Sequence, residues 1–305
     1  MKSLYSDYPL PNLKTMKNAL YFYLLVTFSF VAALLALHEP EKPKEPVLCH
    51  ADIEAVHAFA AFTTQESFRN AHSMSRDLGD VSFNGAEITF DVADGKQGKG
   101  YYVASKKKSN KYIFVFHEWW GLNDYVRNES NRLSKELGNV NVIALDLYDG
   151  KVGTTREEAG KLMKACDPKR AASIIQGALA YVGKGAVIAT IGWCFGGGWS
   201  LQAALQLQQQ AKACVMYYGM PVKDVDRLAS LNCDVLGIFG EKDKWINPEV
   251  VANFEDHMQE AKKNLEVKMY KADHAFANPS SDRYNEKDAK EANKVALAFL
   301  KQHLK

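Results

Sequence analysis

Apolar and polar positions change rhythm twice along the chain. Residues 19–37 are apolar on every face, with Lys2, Lys14 and Lys17 ahead of them. The run is longer than a signal-peptide core and close to the length of a membrane span, so residues 1–37 are expected to be an export signal or an N-terminal membrane anchor. Lysines on its N-terminal side orient such a segment to send the rest of the chain across. The protein is therefore expected to be exported, in a periplasmic or other extracytoplasmic setting, with residues 19–37 as the membrane tether. Residues 38–80 begin with a Pro/Glu/Lys linker and continue Ala-rich and helical in places, with no motif tied to chemistry. They are read as a linker and N-terminal extension ahead of a catalytic domain spanning 81–305.

In that last part the rhythm is regular. Ile88, Phe90 and Val92 alternate with polar residues, and after a Gly/Lys/Asp turn the segment 101–103 completes a hairpin at one edge of a sheet. Apolar runs at 112–116, 140–145, 186–191, 213–218, 235–239 and 265–270 then alternate with helical stretches at about 125–137, 156–165, 171–182, from 199 onward, from Asn247-Pro248, and 284–300. Near-continuous apolar strands alternating with helices predict an α/β fold, a mostly parallel sheet with helices on both faces. Sites in such sheets form at the carboxyl ends of the strands.

The strand at 186–191 runs into Gly192-Trp193-Cys194-Phe195-Gly196-Gly197, a thiol version of the Gly-x-Ser-x-Gly nucleophile elbow. A turn this sharp forces the nucleophile into a strained backbone conformation and brings the residues two before and two after it nearly into contact, so both must lack a Cβ. Cys194 at a helix N-terminus is expected to have its thiol pKa lowered. The backbone N–H of Phe195 is placed to bind an oxyanion. A dinucleotide fingerprint or P-loop fits the glycines poorly, since Cys194 interrupts the first pair and no Gly-Lys-Ser/Thr follows.

A thiol nucleophile needs a base and the base an orienting acid. Asp243 follows the strand ending at 239, and His274 follows the strand ending at 270, which is the order nucleophile, acid, histidine. Asp273 and Glu241 are alternatives to Asp243. Of the eight histidines, His117 is the other candidate; His38, His50, His57, His72 and His303 lie outside the alternating core and His257 within a helix. The loop after residue 116 contains His117, Glu118, Trp119, Trp120 and Gly121, and its position suits a second oxyanion donor, the N–H of Trp119. Glu118 beside a thiol can accept its hydrogen bond and disfavours a permanent thiolate. Trp119, Trp120, Tyr148, Phe195, Tyr217, Trp245 and Phe276 fall at strand-end loops and suggest an aromatic-lined pocket.

Composition narrows the partners. The 305 residues are 47% hydrophobic and 24% charged with a formal net charge of +2, which gives no basic field for nucleic acid and leaves a small molecule as the expected ligand. The five cysteines, Cys49, Cys166, Cys194, Cys214 and Cys233, form no Cys-x-x-Cys and no Cys/His cluster at zinc spacing. No metal site and no cofactor are expected, nor a disulfide to Cys194.

Taken together, Gly192-Trp-Cys194-Phe-Gly-Gly197, His117-Glu118-Trp-Trp-Gly121, Asp146-Leu-Tyr148, Tyr217-Tyr218-Gly219, Asp243 and His274-Ala-Phe276 resemble the dienelactone hydrolase family, from about residue 88 to the C-terminus. The resemblance implies an α/β-hydrolase fold and metal-free opening of lactones and related esters by a Cys194–Asp243–His274 triad, with Glu118 holding the resting thiol. Members acting on dienelactone grip its carboxylate with two arginines. Arg156 matches the first; the second position is Asn278, the aromatic expected four residues after the first arginine is Gly160, and Arg283 is a nearby substitute cation. Substrate-binding residues are accordingly Arg156, Trp120, Tyr148, Phe276 and Asn278. The expected protein is a monomeric ester or lactone hydrolase working through an acyl-enzyme. A thioesterase or peptidase-like hydrolase of the same fold, and an exported binding protein without catalysis, are the alternatives.

Overall fold

A computed structural model describes residues 53–72 and 82–305 of the chain. The hairpin β1 (Ala86–Asp91) and β2 (Gln97–Val103) is antiparallel, and β2 joins the sheet antiparallel to β4 (Asn141–Leu145). From β4 the order continues β3 (Lys111–Phe116), β5 (Val187–Trp193), β6 (Ala211–Tyr217), β7 (Asp234–Gly240) and β8 (Leu265–Tyr270), all parallel. Every residue of β4 is buried, as are most of those in β5, β6 and β7. Strands covered on both faces need no polar alternation, which is why these runs read as continuously apolar.

Among the described residues two short helices precede the sheet, α1 (Ile53–Ala61) and α2 (Glu66–Asn70); those between and after the strands are α3 (Asp124–Leu137), α4 (Arg156–Ala165), α5 (Pro168–Val182), α6 (Phe195–Leu207), α7 (Val225–Ala229), α8 (Pro248–Glu260) and α9 (Glu286–His303). Their starts follow local rules: Asn123, Thr155, Asp167, Asn247 and Asn285 each cap a helix by accepting a backbone N–H through the side chain. Pro168 and Pro248 occupy first-turn positions where a missing N–H costs nothing.

Helix α6 departs from the sequence expectation. Helix-forming residues begin near Trp199, yet the helix starts at Phe195 and takes three glycines into its first turn. Propensity opposes this by about 1 kcal/mol per glycine, but packing decides. A Cβ on Gly197 would lie 2.6 Å from the Tyr217 carbonyl, and one on Gly198 would lie 3.2 Å from that of Met220. The helix then runs buried through the centre, with Ser200 Oγ 2.9 Å from the Val215 carbonyl.

The described residues belong to one compact unit, His50–Lys305. Residues 53–72, read from sequence as part of an extension, pack within it: Phe59 and Phe68 are buried core residues. The apolar run at 19–37 lies outside the described residues. Among the described residues no helix is long and apolar enough to cross a membrane.

Candidate active site

The elbow between β5 and α6 is built by backbone sterics. Cys194 takes φ 57°, ψ −120°, outside the regions open to L-residues at low cost. A Cβ on Gly192 would overlap the Gly196 carbonyl, and one on Gly196 would overlap the Phe116 carbonyl. Only glycine at both positions lets the turn close. The Cys194 N–H donates to the Tyr217 carbonyl at 3.0 Å, which pins the elbow to β6.

The backbone N–H groups of Phe195 and Trp119 both bear on the Cys194 sulfur and favour its anion. They lose to burial: complete desolvation, and then the nearby Glu118 charge, push the thiol pKa well above its ordinary value. The lowered pKa expected from the helix terminus is therefore corrected. A helix end is worth at most about 2 kcal/mol, less than the cost of an ion enclosed in protein.

His274 and Asp243 are brought together from the loops after β8 and β7. Asp243 Oδ2 accepts a hydrogen bond from His274 Nδ1 at 2.6 Å, while Oδ1 accepts the N–H groups of Trp245 and Ile246 at 2.8 and 3.0 Å. Burial opposes the Asp243 charge, but His274 and these donors outweigh it and hold its carboxyl below the ordinary range. With the proton fixed on Nδ1, His274 presents the lone pair of Nε2. That buried nitrogen finds no hydrogen-bond partner among the described residues.

Asp273 and His117, two of the rival candidates, are engaged elsewhere. Asp273 accepts the His274 N–H at 2.7 Å and lies 3.5 Å from Arg283, and His117 donates from Nδ1 to the Glu118 carbonyl while its Nε2 accepts the Leu147 N–H.

Glu118 is buried and receives hydrogen bonds from Tyr218 Oη at 3.4 Å and Asn278 Nδ2 at 2.5 Å. Burial raises its pKa to about 7, and the neighbouring His274 and these donors only partly offset the rise. Glu118 and Asn278 form part of the wall of a cavity of about 250 Å³, together with Trp120, Trp193 and Tyr284. Of the residues expected to bind substrate, Trp120 and Asn278 line this cavity. Tyr148 instead packs on His117 and Phe195, and Phe276 on Tyr218 and Tyr270. Arg283 stacks over the Trp245 ring at 5.5 Å.

The largest departure from the sequence reading lies between residues 53 and 72. Phe68 packs edge-on against Trp119 and Trp245, its ring centroid 6.3 Å from that of His274, and Phe59 lies 6.2 Å from the same ring. His72, set aside as outside the core, sits in the centre of the site: its Nε2 is 3.6 Å from Cys194 Sγ and its ring 4.7 Å from Trp119. His72 Nδ1 lies 2.7 Å from the Phe68 carbonyl. A carbonyl can only accept, so the proton is on Nδ1 and Nε2 is an acceptor. Burial and then the neighbouring His274 lower the His72 pKa to about 3, so the ring is neutral.

The resting thiol's hydrogen bond, which the resemblance assigns to Glu118, is made to His72. Arg156, the expected carboxylate ligand, donates from Nε to the His72 carbonyl at 2.7 Å. Trp245 Nε1 adds a bond to Gln65 at 3.3 Å. The sequence reading tied no chemistry to this segment, and nothing local in it identifies what Phe59, Phe68 and His72 pack on.

The parallel sheet, strained cysteine elbow and strand-end Asp–His pair define an α/β-hydrolase fold. A sequence model of the dienelactone hydrolase family matches residues 99–304, and the chain belongs to that family. Protein usf of Aquifex pyrophilus is 27% identical over 216 residues, covering 67% of this chain and 93% of its own length. Carboxymethylenebutenolidase 1 of Cupriavidus pinatubonensis is 24% identical over 231 residues, covering 71% and 96%. Among solved structures, a dienelactone hydrolase-like promiscuous phosphotriesterase from metagenomic libraries superposes with a TM-score of 0.63 at 19% identity, covering 73% of this chain and all of its own. The chain is thus a hydrolase of this family, in keeping with small ester or lactone substrates.

Proposed function

We propose that the protein hydrolyses a carboxylic ester or lactone through an acyl-enzyme on Cys194. The observation that supports this best is the convergence on one sulfur of two backbone N–H groups, from Phe195 and Trp119, with the Asp243-oriented His274 alongside. Cys194, His274 and His72 ligand atoms all lie within 4.8 Å of one another. Because the thiol rests neutral, attack begins with transfer of its proton to His274 Nε2. The sulfur adds to the substrate carbonyl and the N–H groups of Phe195 and Trp119 hold the oxyanion. The C–O bond then breaks, and His274 returns the proton to the leaving oxygen. Water, deprotonated by His274, cleaves the thioester and restores the thiol.

Cys194 is fully buried with His72 against its sulfur, so substrate reaches it when residues 53–72 withdraw. The cavity beside Glu118, Trp120 and Asn278 is placed to receive part of the substrate. With one arginine tied to His72 and Asn278 tied to Glu118, a second charge-assisted grip on a substrate carboxylate is missing. We therefore assign a lactone or ester less dependent on a carboxylate than dienelactone. Export, tethering through residues 19–37 and a monomeric state belong to the same proposal.

The test is turnover of p-nitrophenyl esters and of dienelactone by wild type, Cys194→Ala and Asn278→Arg. The expected result is loss of at least about 10³-fold in Cys194→Ala and a gain on dienelactone in Asn278→Arg. Undiminished ester turnover without the thiol would overturn the assignment.

A further inference from the structure

Three ligand atoms meet at the site although they come from positions 72, 194 and 274. Sequence spacing shows no zinc motif, yet the fold brings these three ligand atoms within 4.8 Å of one another. Both histidines are held as Nδ1–H tautomers by an oxygen acceptor, His72 by the Phe68 carbonyl at 2.7 Å and His274 by the Asp243 carboxylate at 2.6 Å. Each therefore offers a bare Nε2. An imidazole whose far N–H is fixed by a carbonyl or carboxylate is the arrangement that metal-binding histidines use to set tautomer and ring orientation.

We propose that His72 Nε2, Cys194 Sγ and His274 Nε2 form a binding site for a soft divalent cation of the Zn2+ type, whose occupancy holds residues 53–72 closed over the nucleophile.

The geometry is close to ready. Zinc–nitrogen bonds of about 2.0–2.1 Å and a zinc–sulfur bond of about 2.3 Å at a tetrahedral centre place ligand atoms about 3.3–3.6 Å apart. His72 Nε2 and Cys194 Sγ are already 3.6 Å apart, and no pair in the trio exceeds 4.8 Å. All three side chains are buried, and His274 Nε2 lacks a hydrogen-bond partner among the described residues, so a cation would satisfy a nitrogen that otherwise has none. The electrostatics agree. Binding converts the thiol to a zinc thiolate and releases its proton to solvent, leaving a net single positive charge, and Glu118 and Asp243 are the carboxylates that act on this sulfur. Two ligands belong to the core and the third to the covering segment, so the bound cation staples one to the other and occupies both the sulfur and the base.

The experiment uses the full chain, reduced and stripped of metal with a chelator. Zinc is followed by equilibrium dialysis and CoCl2 by the near-ultraviolet thiolate-to-cobalt charge-transfer band, neither of which needs substrate. We expect one equivalent bound at micromolar metal, at least tenfold weaker binding in His72→Ala and in His72→Gln, no cobalt–thiolate band in Cys194→Ala, and at least tenfold slower amide exchange across residues 53–72 with zinc. Failure to bind one equivalent would overturn the proposal, as would wild-type affinity in both correctly folded His72 variants or a band that survives in Cys194→Ala. A protein that binds zinc this way but turns over no ester would sink the hydrolase assignment and leave the metal site standing.

Discussion

The elbow and the segment that covers it meet at the Cys194 sulfur, yet they are held by different physics. The elbow is fixed by hard contacts of the backbone: Gly192, Gly196 and Gly197 approach neighbouring carbonyls where no Cβ fits, and Cys194 is strained at φ 57°. Residues 53–72 are held by ring packing of Phe59, Phe68 and His72 and by a few hydrogen bonds, from Arg156 and Trp245 among others. Such a unit is able to open while the sheet stays folded. Rigid placement of the thiol and the packing that covers it thus rest on separate devices, and they are expected to fail in different ways.

That difference is open to experiment. Gly192→Ala is expected to have the largest effect, because the new methyl overlaps the Gly196 carbonyl and neither strand nor helix can retreat. We expect a loss of about 4 kcal/mol or more in unfolding free energy by urea denaturation, together with loss of turnover. A stable, active Gly192→Ala protein would remove the steric account of the elbow.

Phe68→Ala should behave oppositely. The lost burial, about 3 kcal/mol, falls on the opening equilibrium of residues 53–72. Amide exchange there should quicken by roughly 10²-fold and kcat/KM on small esters should rise, with the global urea midpoint unmoved. A fall in that midpoint comparable to Gly192→Ala would mean that the segment is part of the same cooperative unit.

Glu118 lies at the boundary and gives a pH test. Its carboxyl is raised from 4.5 to about 7 in the fold, mainly by burial. The native state therefore holds a proton that the unfolded chain releases between those values. Its stabilising preference for the protonated form is complete below pH about 4.5, declines as pH rises and is gone above about 7, a change on the order of 3 kcal/mol. Urea midpoints at pH 5 and pH 8 should differ in this sense, and Glu118→Gln should flatten the difference.

The smallest effect is expected for Arg156→Ala, which removes the 2.7 Å bond to the His72 carbonyl. Opening of the segment should increase about tenfold, in line with about 1.5 kcal/mol for a charge-assisted hydrogen bond, read by exchange of the same amides. An unchanged rate would leave the aromatic packing as the whole of the closure.

The strand and helix order, the parallel sheet and its antiparallel edge hairpin were legible in the chain because each depends on local periodicity and caps. Residues 265–270 form β8 as expected, and Asn247-Pro248 start a helix as capping chemistry requires. The elbow was legible for a related reason: the turn can be made only with glycine at fixed offsets from Cys194, so a steric demand is written directly in the spacing. The Asp243 and His274 loops followed from strand order.

What tertiary structure alone decided is the content of the space above the sulfur. His72 is 122 positions from Cys194, and its neutrality, its tautomer and its contact with the thiol arise from packing that no local pattern encodes. The same enclosure reversed the expected direction of the thiol pKa, since a helix terminus acts from the adjoining backbone whereas desolvation depends on whatever covers the group. Asn278 shows the rule in small: its identity could be read as a missing arginine, but its bond to Glu118 follows from two loops meeting across the sheet. Backbone geometry acts between neighbours in the chain and leaves its mark in sequence, while burial and long-range side-chain pairing exist only once the chain has closed upon itself.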